Sequence, residues 1–280
     1  MTSRPLPWPI EPAPDPRDHE LAPLLNEPLA SAWASREAAP AALRGRLLDR
    51  LAASHAASAA MVTTRLSRLA AIELAPGVHA GTLYRAPRDR ALRPGEPLRA
   101  RLIDLQPGAT WPAGDAEGHR EWLVLRGAAR IGAAPLSLRD YHAVPAGHAS
   151  GAVTASAQGA RLFLRESSLA AAPGDAAVTV HDAEAGWPEY APGIRRRVLW
   201  QRDGQAALLY HTQAGAAVPQ HTHGHDEECL MVQGELFLDD LLLQEGDYQL
   251  APAGTGHRIT QTDTGVVIYA HGDLDLRFTG

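Results

Sequence analysis

A single cysteine, Cys229, stands in 280 residues. That scarcity excludes an internal disulfide framework and fits a reducing compartment. Lysine is missing altogether, since all 26 basic residues are arginine. Together with the many alanines, glycines and prolines, this reflects the composition of the coding DNA and excludes no function. The formal net charge is -6, and no dense basic stripe is interleaved with aromatics, which argues against direct nucleic-acid binding. The one basic run, Arg195-Arg196-Arg197, reads as a charged strand edge that discourages sheet pairing. Long hydrophobic runs are also lacking. Stretches such as Val266 to Ala270 are strand-sized, far short of the roughly 20 residues a membrane-spanning helix needs. The opening MTSRPLPWPIEPAPDP follows Arg4 with prolines instead of an apolar segment, so no secretory signal is expected and the cytoplasm is the expected location.

What is present begins with an internal repeat. Sliding the chain against itself by 107 residues superimposes Gln106–Ser150 on Gln213–His257 without a gap, and two domains of one ancestry follow. Gly127 falls on Gly234, Glu121 on Glu228, Asp140-Tyr141 on Asp247-Tyr248, and Pro145-Ala146-Gly147 on Pro252-Ala253-Gly254. Upstream, Ala75-Pro76-Gly77-Val78 resembles Ala191-Pro192-Gly193-Ile194, with nine extra residues in the first copy placed near Arg85 to Pro97. The chain length suits two compact cores plus an appendage. The expected division is 1-72, a Pro-rich arm and an amphipathic helix; 73-170, a first barrel; and 171-280, a second barrel. Within the first segment, Leu43, Leu47, Leu48 and Leu51 recur at helical spacing after Pro40, predicting a helix to about Ala60 that docks on the first barrel or on a partner.

The second copy carries a dense set of metal-binding side chains. His221 and His223 alternate along one strand and therefore share a sheet face, and Glu227, an even number of residues on, can join them. His257 arrives from another strand after a turn at Pro252 and Gly254. Three histidines and a carboxylate suit a divalent first-row metal: zinc is placed first, and iron, manganese, nickel or copper are accepted by the same set. His225 and Glu228 have the wrong parity for the pocket, and Glu228 is expected to face outward. Cys229 shares the parity of Glu227 and reads as a small buried apolar residue near the metal. In the first copy Gly114, Ala116, Arg120 and Ser150 occupy the four ligand positions, so that copy is expected to be metal-free. Its His119, His142 and His148 read as solvated or loop residues, and Trp111, Arg120, Trp122 and Ser150 are candidates to line a pocket for a small anion or organic ligand.

The spacing from Gly215 through His221-x-His223, Glu227 and Gly234, then Gly246, Pro252-x-Gly254 and His257, matches the paired motifs of the cupin superfamily at each step. Short strands with Gly and Pro punctuation agree. The expected fold class is all-β: two tandem cupin (double-stranded β-helix, jelly-roll) barrels with a short helical, Pro-rich N-terminal segment. The chain further resembles the ChrR-type anti-sigma factors over roughly residues 36 to 280, most strongly over 187 to 257, through AAPAALRGRLLDRLAA, WPEYAPGIRRRVLW, HTHGHDEECLMVQGELFLDD and GDYQLAPAGTGH. The resemblance implies a bacterial regulator that senses a chemical stress, with metal ligands His221, His223, Glu227 and His257, and a partner that is an extracytoplasmic-function sigma factor bound through the N-terminal segment. The sequence departs from that family in one respect. No cysteine precedes Cys229, so the family's HxxxCxxC zinc site cannot form, and His19 and His55 have no thiolate partners.

Two functions follow. One is a metal-binding regulatory bicupin, which the family resemblance favours. The alternative is a metal-dependent cupin enzyme, such as a dioxygenase acting on a small chelating substrate at open coordination positions. Tyr210, His211, Gln249, Gln261 and Tyr269 are candidates to point into the barrel, with no catalytic role assigned. A monomer or a homodimer is compatible with a chain that pairs two barrels within itself.

Overall fold

The computed structural model describes residues 59–112, 114 and 118–279. The Pro-rich arm and the helix expected from Pro40 lie outside the described residues, except that Ala59 and Ala60 are helical. The remainder is almost entirely antiparallel β-structure in two large sheets and one small one.

Alternation along two long strands builds both barrels. In His119–Ile131, Trp122 and Val124 enter the core of the first barrel while Leu123 faces the opposite way. In Glu227–Leu238, Cys229 and Met231 enter the second barrel and Leu230 and Val232 face away. Beyond a register shift between Met231 and Gln233, the inward residues become Leu236 and Leu238, because a bulge inserts one residue and reverses the parity. Gly234 sits at this bulge with φ +79°, and an added Cβ would collide with the carbonyl oxygen of Gly265. Gly127 meets Gly159 in the same way in the first barrel, which explains why this glycine recurs in both copies. Gly234→Ala should therefore cost more than about 1 kcal/mol. Gly254→Ala, also at positive φ but with nothing within 4 Å, should cost less. Chemical denaturation of the two variants compares them directly.

The faces turned away from each barrel pack on each other. Leu123, Tyr141 and Phe163 from the first barrel and Leu230, Tyr248 and Tyr269 from the second form one apolar cluster. Glu228 belongs to this face, so its outward orientation leads into protein and not into water. It is fully buried and paired with Arg165 of the first barrel, whose other arm reaches Glu121 at 2.7 Å. Tyr248 donates to Glu228 and Tyr141 to Glu121, both at 2.7 Å, and Tyr269 adds a bond of 3.1 Å to Glu121. Burial alone would raise the Glu121 carboxyl, but the neighbouring His271 ring and the Arg165 guanidinium prevail and hold it well below the ordinary range. The guanidinium of Arg165 is likewise held protonated against burial by Glu228 and Glu121.

Two short strands pass between the sheets. Val62–Thr64 pairs with Tyr248–Ala251 of the second barrel, and Val178–Val180 pairs with Tyr141–Val144 of the first. The extra residues of the first copy also reach across: Arg90 pairs with Asp226 at 2.6 Å, and Gln205 donates to the carbonyl of Pro94 at 3.0 Å. We propose the division at 72/73 and 170/171 for the barrel cores, with these two strands exchanged across it.

Three sequence expectations require correction here. Ile194–Arg202 is not an edge, since it pairs on both sides. Its arginines serve packing instead: Arg197 lies over Trp187 and pairs with Asp182, and Arg196 lies over Tyr190. His119 and His142 are buried strand residues, with His119 against Trp200 and His142 bonded to Thr179. His119 lies on the face covered by the second repeat, whereas His142, opposite Trp122, is on the inner face of the first barrel. Only His148 of the three is exposed.

Candidate metal centre

The four side chains singled out by spacing come together inside the second barrel. His221–Thr222 pairs with Gly256–His257, which sets His221 directly opposite His257. Gly256 must lack a side chain, because a Cβ there would meet the His221 carbonyl. The rings of His221 and His223 are 5.2 Å apart, those of His223 and His257 5.1 Å, and those of His221 and His257 5.7 Å. Glu227 Oε2 lies 3.4 Å from His223 Nδ1 and 3.8 Å from His257 Nε2. His221, His223 and Glu227 offer ligand atoms all within 4.8 Å of one another, and His257 closes the group from the facing strand. All four are at most 9% exposed.

The surrounding bonds orient these rings. His221 donates through Nδ1 to the carbonyl of Pro219 at 3.0 Å, and His257 Nδ1 faces Asp239 at 3.3 Å. Each bond leaves Nε2 as a lone-pair donor, the arrangement by which a carbonyl or carboxylate fixes a ligand's tautomer. The Nε2 atoms of His223 and His257 are buried without a hydrogen-bond partner. Buried polar atoms are ordinarily satisfied, so two orphaned nitrogens beside a carboxylate fit a divalent cation bound among them. Spacing did not reveal Asp239. It sits in the turn after Glu227–Leu238 with φ +53°, and an acidic residue in a turn gives no sequence signal of its own.

The other candidates are distributed differently. Cys229 is on the inner face beside Glu227, and burial raises its thiol pKa. His225 turns to Asp273 at 2.5 Å. Tyr210 faces the interior of the second barrel, Tyr269 and Gln249 are held at the inter-barrel face and by Thr63, and Gln261 is exposed. In the first barrel, Arg120 and Ser150 stand where Glu227 and His257 stand in the second, and they bond to each other at 2.9 Å. Trp111 and Trp122 pack edge to face in the core.

Burial also gives the centre a pH signature. His223, ordinarily near 6.5, is pushed down to about 4 by burial. Between those values the unfolded chain binds a proton that the folded chain excludes, so stability declines as pH falls through this window and levels off below it. The loss is about 3 kcal/mol. His257 is shifted downward by burial too, while burial raises Glu227, which opposes the trend above its ordinary 4.5. The melting temperature of metal-free protein should drop between pH 6.5 and pH 4. His223→Gln should flatten that part of the curve.

Residues 175–275 match the family described as ChrR Cupin-like domain. This segment of the chain is similar to a cupin domain. Solved structures share the fold at low identity. An oxalate decarboxylase from Lactobacillus farciminis, in complex with formate, aligns with TM-score 0.57 and 14% identity over 77% of this chain and 87% of its own. A Bacillus subtilis oxalate decarboxylase mutant aligns with TM-score 0.56 and 15% identity over 78% of each chain. A protein from Nostoc punctiforme, provisionally assigned as a dioxygenase, gives TM-score 0.57 and 15% identity over 76% of this chain and 83% of its own length. No curated protein matches significantly. Among the described residues, no helix is long and apolar enough to cross a membrane.

Proposed function

We propose that this chain is a metal-dependent cupin enzyme whose second barrel holds one divalent ion through His221, His223, Glu227 and His257 and admits a small substrate to it. The observation that carries this reading is the cavity beside the four side chains. His221, Glu227 and His257 form part of its wall, so a ligand entering the barrel meets the ion directly. When bound, the ion supplies Lewis acidity and open coordination positions. The chain contributes orientation through Pro219 and Asp239, exclusion of water through the apolar wall, and a phenol, Tyr210, that burial keeps protonated. Solved structures of the same fold include proteins named as decarboxylases and one provisionally assigned as a dioxygenase, which supports an enzymatic reading without specifying the reaction.

A second reading has its own support in the ChrR Cupin-like match over residues 175–275. In it the barrel is a sensor, and a sigma factor binds through residues 1–72. The two readings separate in one comparison. Metal-loaded protein is supplied with small ketones and monocarboxylates, and consumption of substrate and oxygen is followed in wild type and His221→Ala. Turnover that the variant lacks supports the enzyme. No turnover from fully loaded protein, together with capture of a sigma factor that is lost on deleting residues 1–72, supports the sensor.

A further inference from the structure

The walls of the cavity specify what kind of molecule it accepts, and this inference rests on the metal-centred reading above. The cavity has a volume of about 60 Å³. That is room for a small molecule of about six non-hydrogen atoms and not for a large substrate. Beyond the ligand end, its wall is made by Ile194, Val218, Leu236, Leu238, Ile268 and Leu276. Among the described residues that line it there is no arginine, aspartate or side-chain amide. The nearest guanidinium, Arg196, stands beside the Tyr210 hydroxyl outside the lining, lies over the Tyr190 ring, and is engaged by the carbonyl of Leu274 at 2.7 Å and by Asp275 at 3.2 Å. Two buried hydroxyls face this space, those of Tyr210 and Thr260, and neither has a hydrogen bond of good geometry within the protein.

These features constrain charge and polarity together. A divalent ion with Glu227 as its one anionic ligand retains a single positive charge, and imidazoles add none. One negative charge on a ligand can be matched there, but a second would be buried against leucine and isoleucine, and Arg196, already engaged by Asp275 and the Leu274 carbonyl, does not line the space. We infer that the second barrel selects a small, largely apolar oxygen donor carrying at most one negative charge, its head toward the metal ligands and a hydrogen bond from Tyr210, and that it rejects dicarboxylates of the same size.

Isobutyrate and oxalate test this well, since both have six non-hydrogen atoms and differ mainly in charge and polarity. Titration calorimetry on metal-loaded full-length protein should give isobutyrate at least about tenfold tighter binding than oxalate. Elemental analysis of the same samples, before and after titration, reports retained metal. Tyr210→Phe should weaken isobutyrate about fivefold to tenfold with metal content unchanged, the loss expected for one hydrogen bond. Ala270→Leu, which fills the cavity from the strand Val266–Asp273, should abolish isobutyrate binding and leave metal content unchanged. Protein that carries metal but binds oxalate as tightly as isobutyrate, or binds neither, overturns the inference and leaves the metal centre standing. Protein that takes up no metal overturns both.

Discussion

Replacing Arg165 by methionine is expected to destabilise the protein by about 3–5 kcal/mol, the range for a buried ion pair that loses one partner. At about 2–4 °C per kcal/mol for a chain of this size, the melting temperature should fall by about 10 °C or more. The reasoning is electrostatic. Arg165 bridges Glu121 and Glu228, both fully buried, and its removal leaves two carboxylates facing each other across an apolar interface. The three tyrosine hydroxyls can donate hydrogen bonds but cannot supply a charge. Adding Glu228→Gln to Arg165→Met should therefore restore part of the loss, which a simple packing defect would not allow. An unchanged melting temperature in Arg165→Met would mean that the two barrels do not depend on this bridge.

The second large effect concerns the metal centre. His223→Ala or His257→Ala should reduce bound metal from one ion per chain to near none, read by elemental analysis after dialysis. Metal present at a hundredfold excess over its dissociation constant stabilises wild type by about 2.7 kcal/mol, and this increment should vanish in both variants. Asp239→Asn should retain the ion but bind it about 10–100-fold more weakly, because it orients His257 and is not itself a ligand. His225→Ala should leave metal content unchanged, since its ring is committed to Asp273. Equal loss in His225→Ala and His257→Ala would show that the ion lies elsewhere.

Much of this was legible in the residues. The spacing of His221, His223 and Glu227 pointed to the right residues but not to their geometry: they do not share one strand, since His221–Thr222 is a short strand, residues 223–226 form a bend, and Glu227 opens Glu227–Leu238. The return of His257 depended on a turn whose glycine and proline are visible in the sequence. The all-β class followed from short apolar runs between such turns. The inter-barrel face was hidden, because alternation separates two faces without saying whether the second meets water or protein. The outward orientation expected of Glu228 holds, but its burial, like that of His119, was not visible from alternation. The repeat held a clue: Glu121 and Glu228, like Tyr141 and Tyr248, are retained at matching positions while the metal ligands diverge. An acid and a phenol preserved together on an outward face signal a buried pair. Arg165 had no such counterpart, since the residue facing Glu228 in the second barrel's own sheet is His271.

The exchanged strands explain why a barrel without metal ligands persists at all. Val62–Thr64 completes the edge at Tyr248–Ala251, and Val178–Val180 completes the edge at Tyr141–Val144. No single cut through the chain yields two closed halves, because each half retains a strand that the other requires. The first barrel is structurally tied to the second by these strands. It survives as the wall and counter-ion of its neighbour, so a gene shortened to the metal-bearing repeat would encode an open, charged sheet prone to associate with itself.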